Sequence, residues 1–525
     1  MASSGPLRAC PRHNLFKPCC FLRFATVNQL SSLFRSRLSK KFDDRTARFH
    51  TSVVEDLRMF EYDIEGTEAH DIMLHEQGVI PAEALSEILN ALEEIKQEWW
   101  DGKLEIGAEY EDIHEYIEGR VIEKIGVEVG GMVHTGRSRN DQVMVDMKMV
   151  TRAEFLEIAE ALIKLIETFL NLADVHMESH MILYTHGQQA QIGTFAHYLV
   201  NYADALLRDY ARLSACYDRV NMNPLGAGPI GGTNIRLNRL RTSELLGFDR
   251  IQENSIDATS GRDWAVETAF VCACLMGNIS RAAADIVLWH TKEFGYLELS
   301  DEFSSSSSIM PQKKNPSTIE LIRGKTGEVY GALFELMTMV KGVPTGYYQD
   351  LQQTKVALWR ALDTTRTSVE VFTGAVRTMK VNTDTMYAAA ESSSIGALEI
   401  AERLIGSGLS FREAYKVTAE VVKVAVDGGK TLKELTRDDV VAKVKEVTGR
   451  DVDVSSSIIE KATDPKEALD AKRSPGSAHP GEMGRMVEER KDVLGRHVKD
   501  LDFLKIKITI GKDNLKNALN QYRLQ

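Results

Sequence analysis

Apolar residues recur at helical spacing through most of this chain. From Leu85 to Ile95 they return every three or four residues, which places them on one face of a helix. Between 142 and 186 there is no Gly or Pro, and the same spacing runs from Phe155 to Leu172. This pattern predicts a helix of about 30 residues, roughly 45 Å long at 1.5 Å per residue. Helices of such length in a soluble protein are typical of coiled coils or long bundles.

Comparable stretches follow, separated by polar or glycine-rich loops. They cover about 188–220, 262–294, 317–340 and 351–390. Strand signals are scarce, because the alternating "KIKITI" at 505–510 is short and isolated. We therefore predict an all-α fold in which a central bundle of five long helices lies between two smaller helical domains. The predicted ranges are an extension at 1–33, then domains at 34–141, 142–392 and 393–525.

Composition narrows the class of protein. The 525 residues carry a formal net charge of −12, which argues against a nucleic-acid partner. The longest apolar runs fall short of the roughly 18 residues that a membrane helix needs, so no membrane partner is expected. Six scattered cysteines do not form a disulfide framework or a paired zinc motif. An anionic small substrate would need its own local cluster of basic and neutral donors.

The first 42 residues differ in composition from the rest. They contain eight Lys or Arg residues and no Asp or Glu. This bias resembles an organellar transit peptide, and the alternative is an upstream extension without function. We expect a cytoplasmic protein, or an organellar one if residues 1–33 act as a transit peptide.

Two loops carry candidate polar chemistry. "GGMVHTGRSRNDQ", at 130–142, precedes the first long helix, where backbone amides and guanidinium groups favour a carboxylate ligand. The alternative is a capping segment with solvated arginines. "YTHGQQAQ", at 184–191, places His186 between two long helices, where it is a candidate general acid or base or a structural histidine.

A third loop, "LGAGPIGG" at 225–232, matches the G-x-G-x-x-G pattern of dinucleotide-binding folds. That pattern requires a preceding strand and a βαβ unit, and helical sequence flanks it here. A tight turn between helices is the better interpretation.

"SSSSSIMPQKKNP", at 304–316, is either a disordered linker or a mobile loop with chemistry. Asn315 is a suitable helix N-cap and Pro316 suits the first helical position, so we predict that a helix begins at Pro316. A serine near that helix end, Lys313 and Lys314 could act as a base if its oxyanion were stabilised. We favour a mobile lid that carries chemistry.

Four ordered motifs together resemble the fumarase/aspartase superfamily and, within it, the archaeal-type branch of the argininosuccinate lyase family. They are "HTGRSRNDQ", "NPLGAGPIGGT", "ENSIDATSGRDW" and "SSIMPQKKNP", and the resemblance extends from about 35 to "AKRSPGS". It implies a homotetramer whose sites are each built from three chains, with no metal and no organic cofactor. The implied reaction is anti elimination of argininosuccinate to arginine and fumarate, as in arginine biosynthesis.

The same resemblance assigns roles to residues. Ser307 corresponds to the catalytic base, His186 to the acid, Glu320 to the glutamate that orients the histidine, and Lys313 to a lysine that steadies the serine anion. The substrate contacts correspond to Ser52, His134, Arg137, Asn140, Thr185, Asn315, Tyr347, Gln352 and Lys355.

Some positions depart from the family pattern. Gly187 stands where a leucine is common, Tyr348 replaces an asparagine, and Ser306 replaces a glycine. Two alternatives therefore stay open. One is another carbon–nitrogen lyase that releases fumarate from a different N-substituted aspartate, and the other is an inactive structural homologue.

Overall fold

A computed structural model of the chain describes residues 42–107 and 110–523. The extension predicted at 1–33 lies outside these residues. The region before the bundle contains these helices: α1 (Asp44–His50), α2 (Val53–Asp56), α3 (Phe60–Glu76), α4 (Ala82–Trp100), α5 (Ile113–Ile125) and α6 (Val127–Gly130).

The predicted central bundle of five long helices is confirmed. The helices of this region are α7 (Arg139–Val175), α8 (Phe195–Val220), α9 (Arg239–Leu245), α10 (Ser255–Ser260), α11 (Asp263–His290), α12 (Ser317–Val340) and α13 (Thr354–Thr378). α7 begins where Ser138 and Asp141 form a capping box, so the predicted boundary at 141/142 falls inside its first turn. Its 37 residues span about 55 Å.

A β-hairpin interrupts the predicted helical run between α7 and α8. Strands β1 (His180–Thr185) and β2 (Gln188–Thr194) pair antiparallel, so the helix predicted from about 188 begins only at Phe195 and that start is wrong. The two residues at the hairpin tip, His186 and Gly187, have φ of 53° and 68°, the conformation of a type I′ turn. A leucine would be strained at Gly187, which gives a physical reason for the glycine.

Short strand pairs tie the helix ends together. They are β3 (Met222–Asn223) with β4 (Arg250–Ile251), β5 (Leu297–Glu298) with β8 (Lys380–Val381), and β6 (Ser305–Ser306) with β7 (Lys314–Asn315). The β5–β8 pair sets the chain after α11 beside the end of α13. The β6–β7 pair makes the serine run one arm of a hairpin rather than a disordered linker.

Within the described residues, the C-terminal helices contribute to three hydrophobic cores, the smallest of which joins Ala390 and Ala468 to the β1–β2 hairpin. These helices are α14 (Thr383–Glu391), α15 (Gly396–Gly406), α16 (Phe411–Asp427), α17 (Arg437–Thr448), α18 (Ile458–Thr463), α19 (Pro465–Asp470) and α20 (Pro480–Arg523). Buried side chains between Ile400 and Ala462 form a core of their own. α20 instead packs on the bundle and on α4, where Arg523 donates to Asn90 at 3.0 Å. "KIKITI" lies inside α20, so its alternation does not indicate a strand.

One bundle helix is apolar enough to cross a membrane by length and composition. This helix, α11, lies inside the bundle, where Trp264, Met276 and Ile286 are buried against neighbouring helices. Its hydrophobicity is therefore that of a core helix, a class that passes the same test.

Candidate active site

The predicted site residues fall into two groups at opposite ends of the bundle. We call the first the lysine group, near the starts of α7 and α13: Ser52, His134, Arg137, Asn140, Tyr347, Gln352 and Lys355. We call the second the serine group, near the start of α12 and the end of α13: Thr185, His186, Ser307, Lys313, Asn315 and Glu320. Along α12 alone, 24 residues separate these ends by about 36 Å.

The hairpin β1–β2 belongs to the serine end. The hydroxyl of Tyr184 lies 3.3 Å from that of Tyr296, and Tyr296 directly precedes the strand that pairs with β8. Thr185 and His186 follow at the exposed hairpin tip. The single chain therefore places each group at its own end of the bundle and does not bring the two groups to one place.

A buried ion pair forms the centre of the lysine group. The Lys355 ammonium is paired with Asp56 and lies 3.2 Å from the Ser52 hydroxyl, which donates to Asp56 at 2.7 Å. These side chains are at most 4% exposed. Beside them, Gln352 donates to the carbonyl of His50 at 2.8 Å. Asp56 was not among the predicted site residues, and its only signal in the sequence is an acidic residue one helical turn after Ser52.

The segment 130–142 combines both interpretations offered for it. Ser138 and Asp141 cap α7, as the capping alternative expected. The arginines are held rather than solvated, because Arg137 donates to Thr67 at 2.9 Å and Arg139 contacts Asp112 at 3.0 Å. Asn140 is partly exposed and donates from its side chain to the carbonyl of Pro229 at 2.9 Å.

His134 is neutral at physiological pH. Burial, with added repulsion from Arg137 and Arg139, lowers its pKa to about 3. Its Nδ1 lies 3.5 Å from the carboxyl of Glu118, whose pKa is raised by burial. Glu118 and Asp112 were not among the predicted site residues. The sequence feature that could have pointed to them is the acidic stretch "EDIHEYIE" at the start of α5.

A buried cluster of two aspartates and a histidine lies next to the segment 130–142, and its side-chain atoms are close enough together to hold a metal ion. Ligand atoms of Asp63, His114 and Asp146 all lie within 4.8 Å of one another. His114 donates to Asp63 at 2.9 Å, and this pair raises the pKa of His114 and lowers that of Asp63 against the opposing effect of burial. Burial and the Asp63 charge raise the pKa of Asp146 well above its usual range. The cluster is therefore a hydrogen-bonded histidine–aspartate pair with a second buried carboxyl 3.6 Å from the imidazole.

The serine group is built around the β6–β7 hairpin. The Ser307 hydroxyl oxygen accepts from the backbone amides of Ile309 and Met310 at 3.3 and 3.0 Å. The Ser307 amide donates to the carbonyl of Lys313 at 3.3 Å. Lys314 anchors the base of the hairpin through Glu298 and Asp301, at 3.1 and 2.7 Å.

Asn315 does not cap α12, contrary to expectation. The helix begins at Ser317, Pro316 occupies the N-cap position, and the Asn315 side chain accepts from the Lys313 ammonium instead. This bond occupies the Asn315 side-chain oxygen, which would otherwise accept from the first amides of the helix. It also holds Lys313, the lysine assigned to steady the serine anion, against the hairpin. Glu320 lies exposed in the first turn of α12, and in the described part of the chain no hydrogen bond joins it to His186.

Comparisons with known families agree with this architecture. Residues 36–331 match the family model "Lyase", and residues 394–470 match "Argininosuccinate lyase C-terminal". The argininosuccinate lyase of Nitrosopumilus maritimus is 41% identical over 489 residues, which cover 93% of this chain and all of that protein. The same enzyme from Methanosarcina mazei is 38% identical over 94% of this chain and 99% of its own length.

Solved structures extend the comparison. EDDS lyase in complex with formate has a TM-score of 0.82 and 30% identity, covering 89% of this chain and 92% of its own. An EDDS lyase variant with bound fumarate has the same TM-score at 29% identity, covering 92% and 99%. The class II fumarase of Schistosoma mansoni, with a TM-score of 0.65 and 15% identity over 77% and 95%, shares the fold alone.

Proposed function

The chain belongs to the argininosuccinate lyase family and is a carbon–nitrogen lyase, and we propose that its substrate is argininosuccinate, which it splits into arginine and fumarate. The resemblance that the four sequence motifs indicated is confirmed, including its archaeal relatives. The residue roles below are part of the proposal.

The hydrogen-bond donors around the Ser307 hydroxyl are the observation that best supports this mechanism. A serine is a weak base unless its oxyanion is stabilised. Here two backbone amides already donate to that oxygen, and Lys313 lies in the same loop. Ser307 therefore removes the proton next to a substrate carboxylate, and the resulting negative charge spreads onto that carboxylate.

His186 acts from the other face of the substrate. Its imidazole gives a proton to the departing guanidino nitrogen, so the carbon–nitrogen bond breaks as the double bond of fumarate forms. The family resemblance assigns Glu320 to orient the imidazole, and since no hydrogen bond joins the two within the described chain, we propose that this contact forms between copies. Donors that bind the charged intermediate more strongly than the substrate, such as Asn315 and Thr185, lower the barrier.

Assembly of complete sites requires more than one chain, and we propose a homotetramer. The outer face of α12 exposes Leu321, Tyr330, Phe334 and Met337, which are 50–72% exposed. Gly324, Gly327 and Gly331 lie on the same helix with no neighbour within 4 Å of an added Cβ. An apolar face with small residues suits close helix packing between copies. Antiparallel packing would set the serine group of one copy against the lysine group of another.

The decisive experiment follows fumarate absorbance with purified protein and a panel of N-substituted aspartates. We expect argininosuccinate to be the best substrate. The likeness to EDDS lyase favours one alternative, a lyase acting on another aspartate adduct. Turnover of such an adduct with none of argininosuccinate would reject the substrate assignment, and no fumarate from any candidate would favour the inactive homologue.

A further inference from the structure

The glycine loop, residues 224–232, is joined to the start of α7 by one carboxylate. Asp141 Oδ2 accepts from the amides of Gly226 and Gly228 at 2.9 and 2.8 Å, and its Oδ1 accepts from the amide of Ser138 at 2.9 Å. The Asp141 side chain is fully buried. Three amides from two segments thus converge on one buried carboxylate.

The inner half of the loop has little freedom to take another shape. Gly226 and Gly228 have φ of 86° and 66°, and a Cβ on Gly228 would lie 2.9 Å from the carbonyl oxygen of Gly232. On the opposite side, Arg239 donates to the carbonyls of Leu225 and Pro224, both at 3.0 Å. The base of the loop is therefore clamped between a carboxylate and a guanidinium group.

The outer half of the loop contacts the lysine group at two points. The carbonyl of Pro229 accepts the side-chain amide of Asn140 at 2.9 Å. Ile230 lies against Gly346, its Cδ1 3.2 Å from where a Cβ would stand, and Gly346 precedes Tyr347. A shift of the loop would consequently displace both Asn140 and Tyr347, which are two of the proposed substrate contacts.

We infer that Asp141 is a positioning residue for the elimination: it holds the glycine loop so that the loop in turn fixes the Asn140 amide and Tyr347 toward the substrate. The inference rests on the proposed function of the lysine group. A displacement near 1 Å of such contacts can cost about 100-fold in rate. The glycine loop matches the dinucleotide-binding motif in sequence but not in structure. Its role is instead to orient the substrate.

The test compares steady-state kinetics of Asp141→Asn and the wild type. The substitution keeps the size but places an NH₂ group against backbone donors, either the two loop amides or the Ser138 amide, so at least one of the three bonds to this side chain is lost. We expect kcat/KM to fall about 10- to 100-fold, mainly through a higher KM. The melting temperature of the tetramer is measured alongside, and activity is expressed per folded tetramer.

Two glycine variants separate positioning from general destabilisation. Gly228→Ala keeps the carboxylate but pushes on the loop, and we expect KM to rise as in Asp141→Asn. Gly449→Ala introduces the same left-handed strain at φ 69° beyond α17, with nothing within 4 Å of the added Cβ, and should leave KM unchanged. Because Gly228→Ala keeps the Asp141 carboxylate, the inference stays testable if Asp141→Asn does not fold.

If Asp141→Asn and Gly228→Ala both leave KM and kcat per folded tetramer unchanged, the inference is overturned. A lower yield of folded protein with normal KM would also overturn it, because that result assigns Asp141 a structural role alone. The assay uses whichever substrate the wild type turns over. A wild type inactive on argininosuccinate contradicts the proposed function, whereas an active wild type with normal variants contradicts only this inference.

Discussion

Mixing two inactive variants tests whether each active site is built from more than one chain. The lysine group and the serine group lie at opposite ends of the bundle, about 36 Å apart along the 24 residues of α12. We choose Asn140→Ala, a change at a partly exposed substrate contact, to disable the first group and Ser307→Ala to disable the second. Each variant alone should be inactive, since every site then lacks one required side chain.

The fraction of activity that mixing restores follows from how many chains form one site. In tetramers mixed equally at random, a site intact at both groups needs an unaltered lysine group from one chain and an unaltered serine group from another. Each has a chance of about one half, so about one quarter of the sites should work. Sites built within one chain would give no recovery, because every chain carries one of the two substitutions.

The assay is fumarate release after the two variants are co-expressed with different tags and purified through both. A matched control pairs Ser307→Ala with Lys313→Ala, which lie in the same hairpin and must come from the same chain. That mixture should stay inactive. Inactive doubly tagged tetramers in the first pair, or equal recovery in the control pair, would refute the proposed assembly.

Three further outcomes are expected. Ser307→Ala and His186→Asn should each lower kcat at least about 100-fold with the tetramer intact on gel filtration, and near-normal rates would contradict the assigned acid and base. Lys355→Met should destabilise the protein by about 3–5 kcal/mol in urea denaturation, because Asp56 is then buried without its cation; the double variant with Asp56→Asn should recover most of this loss, and a strictly additive loss would argue against the pair. His70 is fully buried, and burial lowers its pKa to about 3 in the folded protein. Below about pH 6.5 the unfolded chain therefore binds a proton at this histidine, whereas the folded chain does not. Stability should therefore fall by up to about 1.4 kcal/mol per pH unit from pH 6 to 4, and His70→Gln, which keeps a donor for the Thr135 carbonyl, should flatten that slope; an unchanged slope would exclude His70 as its source.

The bundle was predictable because its helices have long, regular apolar stripes. The hairpin between α7 and α8 was missed because local conformation outweighs that signal there. The tip at His186 and Gly187 needs two residues with positive φ, a requirement that helical periodicity does not reveal. The alternating residues at 505–510 are helical because α20 packs along the bundle, so tertiary contacts override β propensity.

The site was predictable in residue type but not in arrangement. The family resemblance pointed to Ser52 and Lys355, yet the buried carboxylate of Asp56 that joins them lies outside all four motifs. The separation of the serine and lysine groups depends on helix lengths and direction, which become clear only in three dimensions. The bond from Lys313 that takes Asn315 away from capping also depends on the hairpin register.

The packing of α20 on α4 has a consequence for synthesis on the ribosome. Arg523 bonds to Asn90, a partner 433 residues earlier in the chain. At about 5–20 residues per second, α4 waits roughly 20 to 90 s for the helix that covers it. The face of α4 that α20 covers stays open during that interval, whereas the faces that pack on α3 and α5 can be buried as soon as those helices are made. This one face is therefore the surface that a chaperone could bind on the nascent chain.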